Sequence, residues 1–199
     1  MIGGCIAFVT RLLTGGTARW HGCLPEPKQR IYYANHTSNL DFVLLWSALP
    51  RSLREKTRPV AAKDYWSSAF RGFLAQHVFR AVLIERKKVT RQSNPLESML
   101  QALSEGESLI IFPEGTRLPG DALGPFQAGI FHLAKARPEI ECVPVYIENL
   151  NRVLPKGEVL PVPMLCSVHF GTPVCIEEGE MKTNFLERAR NAMLSLRPL

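Results

Sequence analysis

His36 and Asp41 stand five positions apart in YYANHTSNLDFVLLWSALP, residues 32–50, where one apolar run breaks off, polar and small residues intervene, and a second apolar run begins. A histidine beside a carboxylate is either a structural pair whose members satisfy one another or a general base held by its partner. Five is an awkward interval for regular structure: on a helix the two side chains point roughly 140° apart, and on a strand they face opposite sides. They can meet only across a turn, and Thr37, Ser38 and Asn39 are residue types that form turns and N-caps. The sequence has no G-x-S-x-G elbow, no phosphate-binding G-x-x-x-x-G-K-[ST] loop, no G-x-G-x-x-G and no H-E-x-x-H. If the pair is catalytic, its nucleophile therefore comes from a substrate.

Two further segments carry clustered functional groups: ERKK, Glu85 to Lys88, and FPEGTRLPGDALGPF, residues 112–126. The second is long for a connection in a compact domain, and long connections are more often functional. Pro113 and Gly115 permit a fixed non-helical backbone from which Glu114 and Arg117 project.

The elements that must position these groups alternate. Strand-like runs at 30–34, 58–62, 81–85, 108–112, 141–147 and 165–171 are interleaved with helical patterns at 41–49, 66–78, 94–105, 127–136 and 182–196. This predicts an α/β layered fold with a mostly parallel mixed sheet flanked by helices, formed by one domain over residues 1–199. In such sheets the loops at the carboxyl ends of strands build the ligand site, and all three chemically unusual segments follow a predicted strand. The proline-rich stretch 154–163 reads as a surface excursion.

Composition narrows the partners. Residues 51–91 hold eleven lysines or arginines against three acidic residues, a local charge of +8 in a chain of net +6. That concentration suits an anionic partner such as a phosphate ester, an anionic lipid or an acidic carrier protein. No nucleic-acid recognition module accompanies it, so a nucleic-acid partner is not expected. Five cysteines without a CxxC pair suggest neither a disulfide framework nor a zinc site. Within the amphipathic N-terminal segment, residues 1–20, Ile2, Cys5, Ile6, Val9, Leu12 and Leu13 form an apolar stripe if helical, suited to packing on the core or to lying in a membrane interface. Arg11 interrupts it well short of the roughly 20 residues needed to span a bilayer, so no transmembrane span is expected.

NHTSNLD and FPEGTR together resemble the signature motifs of the glycerolipid acyltransferases, the 1-acylglycerol-3-phosphate acyltransferase family. VAAKDYWSSAFRGFL (60–74), VLIERKK (82–88) and VPVYI (143–147) resemble further blocks of that family, in order, over roughly residues 30–150. The resemblance implies its His-x4-Asp acyltransferase fold and transfer of a fatty acyl group from acyl-CoA or acyl carrier protein to the free hydroxyl of a lysophospholipid, with 1-acylglycerol-3-phosphate giving phosphatidate as the leading case. It implies His36 as general base and Asp41 as its orienting partner, without metal or redox cofactor. By matching positions, Arg86 and Arg117 contact the acceptor phosphate with Lys63 beside them, Glu114 positions the acceptor, and Gly115 and Thr116 complete the binding loop. The implied location is the cytoplasmic face of a membrane, peripheral or monotopic. Glu85 departs from the family's usual Asp or Asn before the arginine, and the apolar portion ahead of His36 is shorter than is common, which implies shallower attachment. Read from the residues alone, an esterase, thioesterase or phosphohydrolase using the same pair, or a non-catalytic lipid-binding module, stays open.

Overall fold

The computed structural model describes residues 2–38, 40–64, 66, 69–85, 94–117, 123–149 and 165–198. Its strands are β1 (Thr17–Trp20), β2 (Arg30–Ala34), β3 (Thr57–Ala62), β4 (Val82–Ile84), β5 (Ser108–Ile111), β6 (Glu141–Glu148) and β7 (Ser167–Phe170). They form one sheet in the order β1-β7-β6-β2-β5-β3-β4. Every neighbouring pair is parallel except β6 with β7. The carboxyl ends of β2 to β6 therefore lie along a single edge.

The helices are α1 (Ile2–Thr14), α2 (Asp41–Ala48), α3 (Arg51–Arg54), α4 (Ala69–Phe73), α5 (Pro95–Ser104), α6 (Gly129–Ala136) and α7 (Lys182–Leu194). Strand residues alternate between two cores, as the two-residue period of a strand requires. Tyr32, Ala34, Val143, Val145 and Ile147 pack under α1 and α2, while Ile31, Tyr33, Cys142 and Tyr146 pack under α5, α6 and α7. Covering on both faces explains why β2 and β5 are continuously apolar or buried rather than alternating. The start of α5 is fixed by Asn94, whose side chain accepts from the Leu96 amide at 3.1 Å, with Pro95 following at the first helical position.

The six expected strands are all present with ends shifted by at most two residues. β1 and α3 were not expected: TARW lies on the sheet margin with no residue buried, so it lacks an apolar pattern. The helix expected over 66–78 begins at Ala69 and widens at Leu74–Val78 into a π-helical turn, in which the Phe79 amide donates to the Leu74 carbonyl at 3.0 Å. The extra residue in that turn brings Phe79 round to pack edge-on against Phe42 and Trp46, with ring centroids 5.0 and 5.1 Å apart. The stretch 154–163 lies outside the described residues.

The N-terminal helix faces the opposite way from a core helix. Its small residues Gly3 and Ala7 turn inward, and a Cβ on Gly3 would sit 3.1 Å from the Trp46 ring. Arg11 donates to the Ser47 and Leu49 carbonyls, capping the end of α2. Of the apolar stripe, only Ile6 packs partly on the core; Ile2, Cys5, Val9, Leu12 (72% exposed) and Leu13 (53%) point outward, joined by Phe8, which is 68% exposed. No helix among the described residues is long and apolar enough to cross a membrane.

Candidate functional site

β2 ends at Ala34, and the chain then turns sharply before α2. Asn35 anchors the exit by continuing the ladder with its side chain: its Nδ2 donates to the Ile147 carbonyl at 3.0 Å, and its Oδ1 accepts from the Ile147 amide at 2.7 Å. His36 and Asp41 meet across the turn, with His36 Nδ1 2.7 Å from Asp41 Oδ2. The same carboxylate oxygen accepts from the Thr37 and Ser38 amides at 2.7 and 2.8 Å. Asp41 thus closes the turn and holds the histidine with one group. The expected polar cap is arranged differently: Leu40 occupies the N-cap position without a side-chain cap, and Ser38 Oγ accepts from the Leu40 amide at 3.3 Å.

Asp41 is completely buried. Burial pushes its carboxyl up from the ordinary range, while the His36 ring and the two amides pull it back. An imidazole whose Nδ1 faces a carboxylate carries its proton there, so Nε2 is the nitrogen left for chemistry. The His36 ring also stacks on Phe112 with centroids 4.3 Å apart.

The loop after β5 locks onto this turn. Glu114 is buried, and its Oε1 accepts from the His36 amide while its Oε2 accepts from the Gly124 amide, each at 2.9 Å. Both oxygens of the residue expected to position an acceptor are thus directed at the protein's own backbone. Gly115 adopts the left-handed region at φ +72°, where a side chain is strained.

This loop separates two cavities. One, of about 240 Å³, is lined by His36, Arg117, Asp64, Phe42, Trp66 and Phe112 along the end of β3. The other, of about 830 Å³, lies between α5 and α6, is mostly apolar and includes Glu85, Gly115, Thr116 and His132. His36, Asp41 and Arg117 are therefore brought together, Gly115 and Thr116 face the neighbouring cavity, and Lys63 is exposed between Ala62 and Asp64, which line the smaller one. Arg86 lies outside the described residues, as do Tyr65, Lys87, Lys88 and Arg91. Trp66 joins the His36 cavity, whereas Phe70 and Phe73 are exposed. Asn35, Phe42 and Phe112 were not among the expected site residues; Asn35, adjacent to His36, is the one with a legible signal, a polar residue closing an apolar strand. Among the described residues no three or more His, Cys, Asp or Glu side chains are grouped to hold a metal ion.

A family model described as Acyltransferase matches residues 20–148. The 1-acyl-sn-glycerol-3-phosphate acyltransferase alpha of Mus musculus is 26% identical over 155 residues, covering 77% of this chain and 52% of that protein. A 1-acyl-sn-glycerol-3-phosphate acyltransferase of Chlamydomonas reinhardtii is 29% identical over 184 residues, covering 88% of this chain and 51% of that protein. The chain spans about half the length of these curated relatives. The crystal structure of the 1-acyl-sn-glycerophosphate (LPA) acyltransferase PlsC from Thermotoga maritima matches with a TM-score of 0.74 at 19% identity, over 100% of this chain and 80% of that one, which establishes a shared fold.

Proposed function

We propose, because the chain belongs to the Acyltransferase family, that it transfers a fatty acyl group from a thioester, acyl-CoA or acyl carrier protein, to the free hydroxyl of a lysophospholipid, with 1-acylglycerol-3-phosphate giving phosphatidate. The observation that carries this reading is the 2.7 Å contact between His36 Nδ1 and the buried Asp41, placed at a cavity that also holds Arg117. His36 Nε2 takes the acceptor's hydroxyl proton as that oxygen attacks the thioester carbonyl, and Asp41 stabilises the imidazolium that forms. Collapse of the tetrahedral intermediate breaks the carbon–sulfur bond, and the imidazolium returns its proton to the leaving thiolate. The amides of His36, Thr37 and Ser38 already donate to carboxylates, so the oxyanion draws its donors from other groups. Arg117 supplies a charge-bearing fork for the acceptor phosphate, with Lys63 and Arg86 in the same role by family position. Glu114 acts through the backbone, holding the His36 turn against the loop that carries Arg117.

The chemistry uses no metal or redox cofactor. The outward row of α1, extended by the exposed Leu165 beside Gly15, suits the protein for a membrane interface, where a lysophospholipid acceptor resides. The test is thiol release from a long-chain acyl thioester, with and without lysophosphatidate and with EDTA present, with lipid products identified by mass. Release that requires lysophosphatidate and yields phosphatidate supports the assignment. Acceptor-independent release would make the protein a thioesterase, and abolition by EDTA would remove the metal-free mechanism.

A further inference from the structure

At the other end of β3 from His36, a cavity of about 800 Å³ opens between the start of α1, α3 and the π-helical turn. Its volume is that of a ligand site. Arg51, Arg54, Arg58 and Arg80 line it against a single carboxylate, Glu55, with His77 beside them, and Ile2, Trp46, Phe73 and Val78 give it apolar walls.

The charges there do not cancel. Glu55 pairs with Arg51 at 2.7 Å, Glu105 with Arg58 at 3.3 Å, and Glu107 with Arg80. Arg54 has no ion-pair partner among the described residues: it lies 5.1 Å over the Trp46 ring and reaches only the Leu49 carbonyl, at 3.4 Å. Burial and the neighbouring Arg11 guanidinium hold Arg54 below the usual guanidinium range, with Arg51 adding to that effect and Glu55 opposing it. A partly buried cation facing like charge is a standing cost unless an anion joins it. Two backbone features frame the same cavity. The π-helical turn presents Val78 and Phe79, and Arg80 adopts the left-handed region at φ +50° without being glycine. Irregularities of both kinds gather at ligand sites. The mouth is apolar as well as cationic, since Ile2 and Phe73 are exposed there and Ile2 continues into the outward row of α1.

We propose that this cavity is a headgroup site for an acidic phospholipid of the bilayer, with the singly charged phosphodiester against Arg54 and the start of an acyl chain along Ile2 and Phe73. The single unmatched guanidinium suits a diester carrying one charge, and the apolar walls favour a lipid over a free phosphate. The site is separate from the His36 cavity, and its occupancy is read without turnover, so its failure and that of the acyltransferase assignment are distinguishable.

Calorimetric titration of the full chain with monomeric short-chain phosphatidylglycerol tests this, with short-chain phosphatidylcholine and inorganic phosphate as comparisons. Saturable binding of phosphatidylglycerol is expected, weakened about tenfold in Arg54→Gln, which is about 1.4 kcal/mol. Arg117→Gln leaves the affinity unchanged. Arg54→Lys retains a cation over Trp46, loses the planar fork and binds with intermediate affinity, and it serves in place of Arg54→Gln if the unfolding midpoint of that variant collapses. Equal binding of phosphatidylcholine, inorganic phosphate binding as tightly as the lipid, insensitivity to both Arg54 substitutions, or a loss in Arg117→Gln would each overturn the proposal.

Discussion

Replacing Glu114 by glutamine separates a residue that touches the acceptor from one that positions the base. The carboxylate accepts from two backbone amides, His36 and Gly124, at 2.9 Å each, in a buried setting. A glutamine keeps one carbonyl acceptor and turns an NH₂ toward the other amide, so one charge-assisted bond is lost outright. Such bonds contribute about 1.5–3 kcal/mol, and for a chain of this size about 2 kcal/mol lowers the melting temperature by roughly 4–8 °C. Because one bond holds the His36 backbone, small displacement of the ring follows, and a shift near 1 Å costs about a hundredfold in rate. The expected signature is a lower Tm and a kcat reduced on the order of 10- to 100-fold, with the KM for lysophosphatidate little changed. Scanning calorimetry and initial rates across acceptor concentrations read both. A raised acceptor KM with kcat and Tm intact would refute the positioning role and return Glu114 to direct acceptor contact.

Three further outcomes are expected. Asp41→Asn removes the charge that stabilises the imidazolium and weakens control of the tautomer, so kcat falls on the order of 10³–10⁴-fold while the secondary structure measured by circular dichroism persists; a loss under tenfold would count against the pair. Phe8→Asp with Leu12→Asp, both on the exposed face of α1, lowers co-sedimentation with phospholipid vesicles at unchanged Tm; undiminished sedimentation would exclude α1 as the contact. Burial pushes the Cys142 thiol up from 9.0 to about 12. The unfolded chain loses that proton near pH 9 and the folded chain near 12, so stability is fully present below about pH 9 and declines by about 4 kcal/mol as pH rises to about 12. Denaturant midpoints across that range should show a shallower decline in Cys142→Ala, and identical slopes would contradict the assignment.

The parallel sheet was legible because apolar strands and amphipathic helices alternate with clear periods. β1 was not, since a sheet-margin strand whose residues are all exposed or half-buried has no inward face to mark it. The His36–Asp41 contact followed from turn chemistry and a five-residue interval. Its mechanism of closure did not: Asp41 gathers three donors at one oxygen, and the Ser, Thr and Asn side chains were the more obvious candidates. The part of Glu114 was hidden for a similar reason, because a carboxylate's partners here are backbone amides far away in sequence, and amides carry no residue signature. The α1 stripe was visible, but its direction depended on Gly3 and Ala7, whose small size lets the other face approach Trp46.

The most direct test of the central claim, that His36 is the base acting on the acceptor hydroxyl, is single-turnover acyl transfer by His36→Ala with saturating acyl thioester and lysophosphatidate, alongside direct measurement of lysophosphatidate binding. Near-complete loss of phosphatidate formation is expected, with acceptor affinity retained and an unchanged fold by circular dichroism. Phosphatidate formed at the rate of the unsubstituted protein would contradict that claim.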